Sequence, residues 1–100
     1  MIARSQPRFS LGQVVATPGA LEALQKANQQ PAEFLQRHVR GDWGEVYEED
    51  KQANEQSLAD GSRILSAYRT SAGEKLWIIT EAADESGRRT ATTILLPDEY

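Results

Sequence analysis

The chain reads as an α+β domain, with two or three helices in its N-terminal half packed on a C-terminal antiparallel three-stranded meander. Three observations predict this class. Thr17-Pro18 and Gln30-Pro31 are helix starts, each followed by apolar residues at helical spacing. Gly41 and Gly61 stand where left-handed helix terminators belong. From Arg63 onward the period changes, and β-branched, aromatic and leucine residues gather in three short runs.

The elements follow in order. Residues 1–8 are polar and contain Pro7, so they read as a loose arm ahead of a single domain over 9–100. Phe9–Ala16 holds a short strand, most strand-like at Gln13–Ala16, with Gly12 a bulge site, and this segment is available as an extra edge strand. Thr17 is a hydroxyl N-cap and Pro18 the first position of a helix whose stripe is Ala20, Leu21, Ala23, Leu24 and Ala27. A second helix from Pro31 carries Phe34, Leu35, His38 and Val39 on one side and stops at Gly41. Asp42-Trp43-Gly44 forms a tight turn. A third helix runs from about Val46 to Ala59, with Val46, Ala53 and Leu58 on its inner face. The strand runs are Arg63–Thr70, Lys75–Ala82 and Thr90–Leu96, joined by the short loop Ser71–Glu74 and the polar segment Ala83–Arg89, and Pro97 ends the last.

The central run is apolar on both faces. Leu76 and Ile78 point one way and Trp77 and Ile79 the other. One layer of helices covers one face. The other calls for the N-terminal arm, the second helix or a partner, and self-association through the Trp77 face is the matching expectation.

Composition narrows the chemistry. One hundred residues make one domain with a modest core. The absence of cysteine removes disulfides, thiolate catalysis and cysteine-based metal centres, and fits a reducing cytoplasm. A single histidine removes every multi-histidine metal site. The longest apolar runs, Leu76–Ile79 and Ile94–Leu96, fall far short of the roughly 20 residues that span a bilayer, and MIARSQPRF lacks the apolar core of a signal peptide. A cytoplasmic protein with no membrane role is expected. The net charge is −4, shared evenly between the halves, and it argues against duplex DNA as the main partner.

The densest chemistry is Arg37-His38-Val39-Arg40-Gly41-Asp42-Trp43. Histidine is the natural acid or base near neutrality, two arginines suit a phosphate, and an indole can stack on a base. Against this, His38 falls angularly between Phe34 and Leu35, on the buried stripe of its helix, where a packed histidine with one hydrogen-bond partner is the plainer reading. Asp42 serves equally as a turn residue and Trp43 as a core plug. Asp50 and Asn54 lie one turn apart beside the inner face of the third helix. There they either tether that helix to the Trp43 turn or support a small polar site by orienting Arg37, His38, Arg40 or a strand residue. In the sheet, Ser66, Tyr68, Thr80, Glu81, Thr92 and Thr93 are the polar candidates, and threonine in strands is also ordinary propensity. No phosphate-binding glycine loop, nucleophile elbow or set of spaced metal ligands is present, so neither cofactor nor metal is expected.

The segments VVATPGALEAL, FLQRHVRGDWGEV with its downstream Asp50 and Asn54, GSRILSAYRT, KLWIITEA and TTILLPDEY resemble a family of short bacterial proteins of unknown function. Those proteins occur on plasmids, integrative elements and similar mobile DNA, and are often labelled plasmid-related protein. The resemblance runs from Val14 to Tyr100, and Ala83–Thr90 is longer here than in the family pattern. It implies a mobile-element accessory protein and transfers no catalytic residue.

Two functional readings follow. The first is a non-enzymatic interaction module, with an unidentified protein partner or a second copy of itself meeting Trp43, Tyr68 or Trp77. The second is a small metal-independent ribonuclease of the barnase-like or toxin type, an analogy of fold alone. In it His38 is the acid or base, Arg37 or Arg40 holds phosphate, and Tyr68, Thr80 or Glu81 completes the site. RNA is a partner only under this second reading. The two part on whether the His38 imidazole opens into a cleft.

Overall fold

The helices start and stop where their punctuation requires. A computed structural model of the chain describes residues 6–100. The first helix, α1 (Pro18–Ala27), has the Thr17 hydroxyl accepting from the Ala20 N–H at 3.1 Å and ends on left-handed Asn28. The second, α2 (Pro31–Val39), is followed by Gly41 at φ +88°. The third, α3 (Glu48–Asp60), closes on Gly61 at φ +82°. It begins later than the expected Val46 because residues 43–45 run extended alongside the sheet: Ala67 N–H donates to the Trp43 carbonyl and Glu45 N–H to the Ala67 carbonyl.

The sheet has four strands: β1 (Gln13–Ala16), β2 (Ile64–Arg69), β3 (Lys75–Thr80) and β4 (Ala91–Leu95). Their spatial order is β1-β4-β3-β2. The last three form the expected antiparallel meander, and β1 joins its edge parallel to β4, with Val15 beside Thr93. A 3-10 turn over Pro97–Glu99 follows β4.

Strand register sorts the side chains. On one face Tyr68, Leu76, Ile78 and Ile94 pack under Ala20, Ala23 and Leu24 of α1 and Phe34 of α2, which makes the apolar core. Each large side chain so buried contributes about 1.5–3 kcal/mol. The opposite face is shallower. There Ala67, Ile79 and Leu95 are buried, Leu65, Trp77 and Thr93 are half-buried, and Val15 is exposed.

The third helix attaches through polar side chains rather than through the apolar stripe expected of it. Ala53, expected on the inner face, is exposed, and the buried residues of α3 are Asn54 and Ser57. The Asn54 amide donates to the Leu65 carbonyl at 2.7 Å and accepts from the Leu65 N–H at 3.1 Å. The Ser57 hydroxyl reaches the carbonyls of Ala53 and Arg63. A strand edge normally offers unpaired backbone groups. Here two polar side chains one helical turn apart, together with residues 43–45, satisfy the outer edge of β2 from Arg63 to Ala67.

This makes Asn54 a sensitive position. Asn54→Ala leaves a buried N–H and C=O without partners and is expected to destabilise the fold by about 2–4 kcal/mol. Asn54→Asp is expected to be worse, since a carboxylate then faces the Leu65 carbonyl. Urea titrations of the two variants against the parent check the ranking, and an aspartate as stable as the parent overturns it.

The arm before β1 is tied down at its end. Residues 1–5 of the expected loose arm lie outside the described residues. Arg8, which was assigned to that arm, donates its N–H to the Val39 carbonyl at 2.7 Å and forms a two-pronged contact with Glu55 at 2.7 and 3.0 Å.

Candidate functional site

The residues singled out from the sequence separate into a buried polar network, a braced turn and one sheet face. His38 belongs to the first. Helix α2 places it on the stripe with Phe34, and it has no exposed surface at all. Its Nδ1 lies 2.5 Å from the Ser66 hydroxyl and its Nε2 lies 2.8 Å from the Thr80 hydroxyl. The Thr80 hydroxyl is 2.7 Å from that of Thr92, which donates to the Leu11 carbonyl at 2.7 Å.

The carbonyl at the end of this chain fixes its direction. A carbonyl only accepts, so the one Thr92 proton points at Leu11. Thr80 therefore donates to Thr92 and accepts from His38 Nε2–H. Nδ1, left bare, accepts from Ser66. The imidazole is thus a neutral Nε2–H tautomer with both nitrogens engaged.

The surroundings hold it neutral. Phe9 and Trp43 stand edge-on to the ring at centroid distances of 5.1 and 6.1 Å. Burial, and secondarily the positive charge of Arg89, push its pKa down to about 3. With no exposed surface, both nitrogens bonded and burial favouring the neutral form, the ring is not placed to reach a substrate proton in this structure.

Arg89 is the buried cation that sequence reasoning missed. It is 6% exposed, and it makes no carboxylate contact among the described residues. Its guanidinium instead donates to the carbonyls of Ser62, Glu81 and Ser57 at 2.8–3.0 Å. Ser57 lies in the last turn of α3, where the helix dipole favours a cation. Burial lowers the Arg89 pKa from its ordinary value.

The Asp42-Trp43-Gly44 turn is structural throughout. Arg37 pairs with Asp42 at 2.7 Å, which holds that carboxyl below the usual carboxylate range. Asp42 also accepts from the Gly44 N–H, and its carbonyl accepts from the Tyr68 hydroxyl at 2.6 Å. Arg37 lies over the Tyr68 ring, 4.5 Å from its centroid. Burial raises the Tyr68 pKa. Trp43 donates its indole N–H to Glu55 at 3.0 Å.

Several expectations are therefore corrected. Trp43 and Tyr68 are 4% and 1% exposed and offer no recognition surface. Arg40 and Glu81 are exposed, and neither bonds to His38, so the acid–base and phosphate constellation is not assembled. Of the partners open to Asn54, the structure shows the strand residue, Leu65, and not Arg37, His38 or Arg40. Asp50 is half-buried, and the tether to Trp43 comes from its helix neighbour Glu55. Of the polar candidates in the sheet, Ser66 and Thr80 bond to His38.

Trp77 remains. It is half-buried, with Tyr100 edge-on at 5.7 Å. By register, Arg69 and Lys75 stand directly opposite each other on the same face, one row from Trp77. At the far end of that face Arg63 donates to the Tyr100 hydroxyl at 2.8 Å. Like charges at facing positions destabilise a strand pair, and among the described residues Arg69 is relieved by Glu45 at 3.3 Å while Lys75 has no such ion pair.

Among the described residues no group of three or more potential metal ligands converges, and no helix is long and apolar enough to cross a membrane. No family model, no curated protein and no solved structure matches the chain.

Proposed function

We propose that this protein is a non-enzymatic interaction module, with an accessory role on mobile DNA, and that it binds a protein partner through the Trp77 face of its sheet. The observation that carries the reading is the state of His38. The one side chain suited to acid–base work near neutrality is walled in and bonded at both nitrogens. The resemblance of the GSRILSAYRT and KLWIITEA segments to mobile-element proteins supports the accessory role.

The chemistry of the face indicates its partner. Trp, Tyr and Arg are the residues that dominate binding hot spots, and Trp77, Tyr100 and Arg63 adjoin here. Arg69 and Lys75 form a positive edge on a chain whose net charge is −4. A partner with apolar and acidic side chains complements this combination of aromatic and cationic groups.

The test is affinity capture from a host carrying the parent element, using tagged parent protein, Trp77→Ala, Lys75→Glu and His38→Gln. The parent and His38→Gln are expected to retain the same protein, and the two face variants to lose it by tenfold or more. Growth arrest or RNA cleavage that disappears in a folded His38→Gln protein overturns the reading.

A further inference from the structure

The two edges of the sheet are treated in opposite ways. The outer edge of β2 is closed by Asn54, Ser57 and residues 43–45. The outer edge of β1 is paired with nothing among the described residues. Proteins protect exposed edges with short strands, charge, proline, bulges or cover, and of these β1, at four residues, has its shortness. Gln13-Val14-Val15-Ala16 has no charge and no proline, and its two valines are 41% and 42% exposed.

From this contrast we propose that β1 is the interface of a homodimer, in which two copies pair β1 antiparallel to β1 across a two-fold axis and make one continuous eight-stranded sheet. This rests on different residues from the Trp77 face and stands or falls separately.

The register follows from which backbone groups are free. Gln13 and Thr17 direct their N–H groups to the Thr90 and Ile94 carbonyls of the neighbouring strand segment. With a period of two, Val15 faces the same way, and Val14 and Ala16 turn both N–H and C=O outward. Paired residues must also share a face. Of the registers that meet both conditions, the one that pairs Val14 and Ala16 wholly within the strand centres on Val15, with Val14 bonded reciprocally to Ala16 of the second copy. All the outward groups of Val14 and Ala16 in both copies then find partners. Val15 meets its own counterpart at a non-hydrogen-bonded position, where the two Cα atoms stand about 4.5 Å apart. The row Leu65–Ile79–Thr93–Val15 continues across the axis as one apolar row. The edge is uncharged, so two chains of charge −4 meet where their repulsion is least.

A strand of this length gives a modest interface, so the association is concentration-dependent, in the range of weak pairs at about micromolar to millimolar protein. Sedimentation equilibrium of the full chain is expected to show a monomer–dimer balance. Val14→Pro is expected to weaken it at least tenfold, because that N–H serves only the second copy. The parent contains no cysteine, which allows a register test. Val15→Cys is expected to give a covalent dimer under mild oxidation, since facing non-hydrogen-bonded positions match disulfide geometry, and Val14→Cys is not. A parent that stays monomeric at about 1 mM, a dimer indifferent to Val14→Pro, or cross-linking stronger at residue 14 than at 15 overturns the proposal. Should Val14→Pro fail to fold, the cysteine pair decides alone.

Discussion

Gly44→Ala is expected to be the most damaging single exchange in the chain, lowering stability by about 3 kcal/mol or more. Gly44 has φ +74°, and a Cβ there would overlap the Ala67 carbonyl oxygen, with the Tyr68 ring 2.8–2.9 Å away. Neither neighbour can yield. The Ala67 carbonyl accepts from Glu45, and Tyr68 is fixed by its bond to the Asp42 carbonyl and by Arg37 stacked on its ring. Losing the close approach opens the edge of β2, the start of α3 and the core at once. Gly73→Ala is the control. Its φ of +91° carries a similar backbone penalty, but its Cβ meets nothing within 4 Å, so about 1 kcal/mol is expected. For a domain of this size each kcal/mol moves the melting temperature by about 4–8 °C, so the two variants separate clearly in a thermal scan. Equal losses would show that crowding against Ala67 is not the cause.

The second large effect appears on acidification. Below pH 6.5, the ordinary histidine value, the unfolded chain takes up a proton at residue 38, and the folded chain does not until about pH 3. Within that window the unfolded state holds more protons, so stability falls as pH falls, by up to about 1.4 kcal/mol per pH unit. Roughly 2 kcal/mol is lost between pH 6.5 and 5, and about 4–5 kcal/mol over the whole window. Asp42 and Glu55 are depressed carboxylates, and their contributions are lost only below the carboxylate range. The upper part of the window therefore reports His38 alone. In His38→Gln, whose side chain does not titrate, the stability curve is expected to be flat from pH 6.5 to 5. A parent that is itself flat there would show that the imidazole charges without hindrance.

Much of this architecture was legible because its signals are local. Thr17-Pro18, Pro31, Gly41 and Gly61 act through their own backbone preferences, so the helix ends came out close to their true places. The burial of His38 was legible too, since the angle between Phe34 and Leu35 already put it on the packed stripe. What escaped depends on pairings between distant segments. Asn54 stands out as an inward polar side chain, but its partner, and the part that Ser57 plays, come from where the β2 edge lies in space. Arg89 cannot be told from Arg88 by pattern, and its burial is set by the bridge between Ala83 and Arg89 and by three carbonyls converging from α3 and the sheet. The Arg37–His38–Arg40 cluster misled because adjacency along a helix is not convergence. At about 100° per residue its neighbours fan apart, and here they meet three different surroundings.

The fastening of α1 joins segments that lie far apart in the sequence. Glu99 accepts from the Thr17 hydroxyl and from the backbone N–H groups of Gly19 and Leu96, and Thr17 N–H reaches Ile94. The first helix is thus clasped by residues made some eighty positions later. The strands of the meander are successive in sequence, whereas β1 and the start of α1 meet partners close to the other end of the described residues. That pairing closes the longest loop in the fold, the kind of contact that slows folding in proteins rich in distant contacts. One carboxylate, Glu99, thus ties together the cap of α1 and the turn after β4.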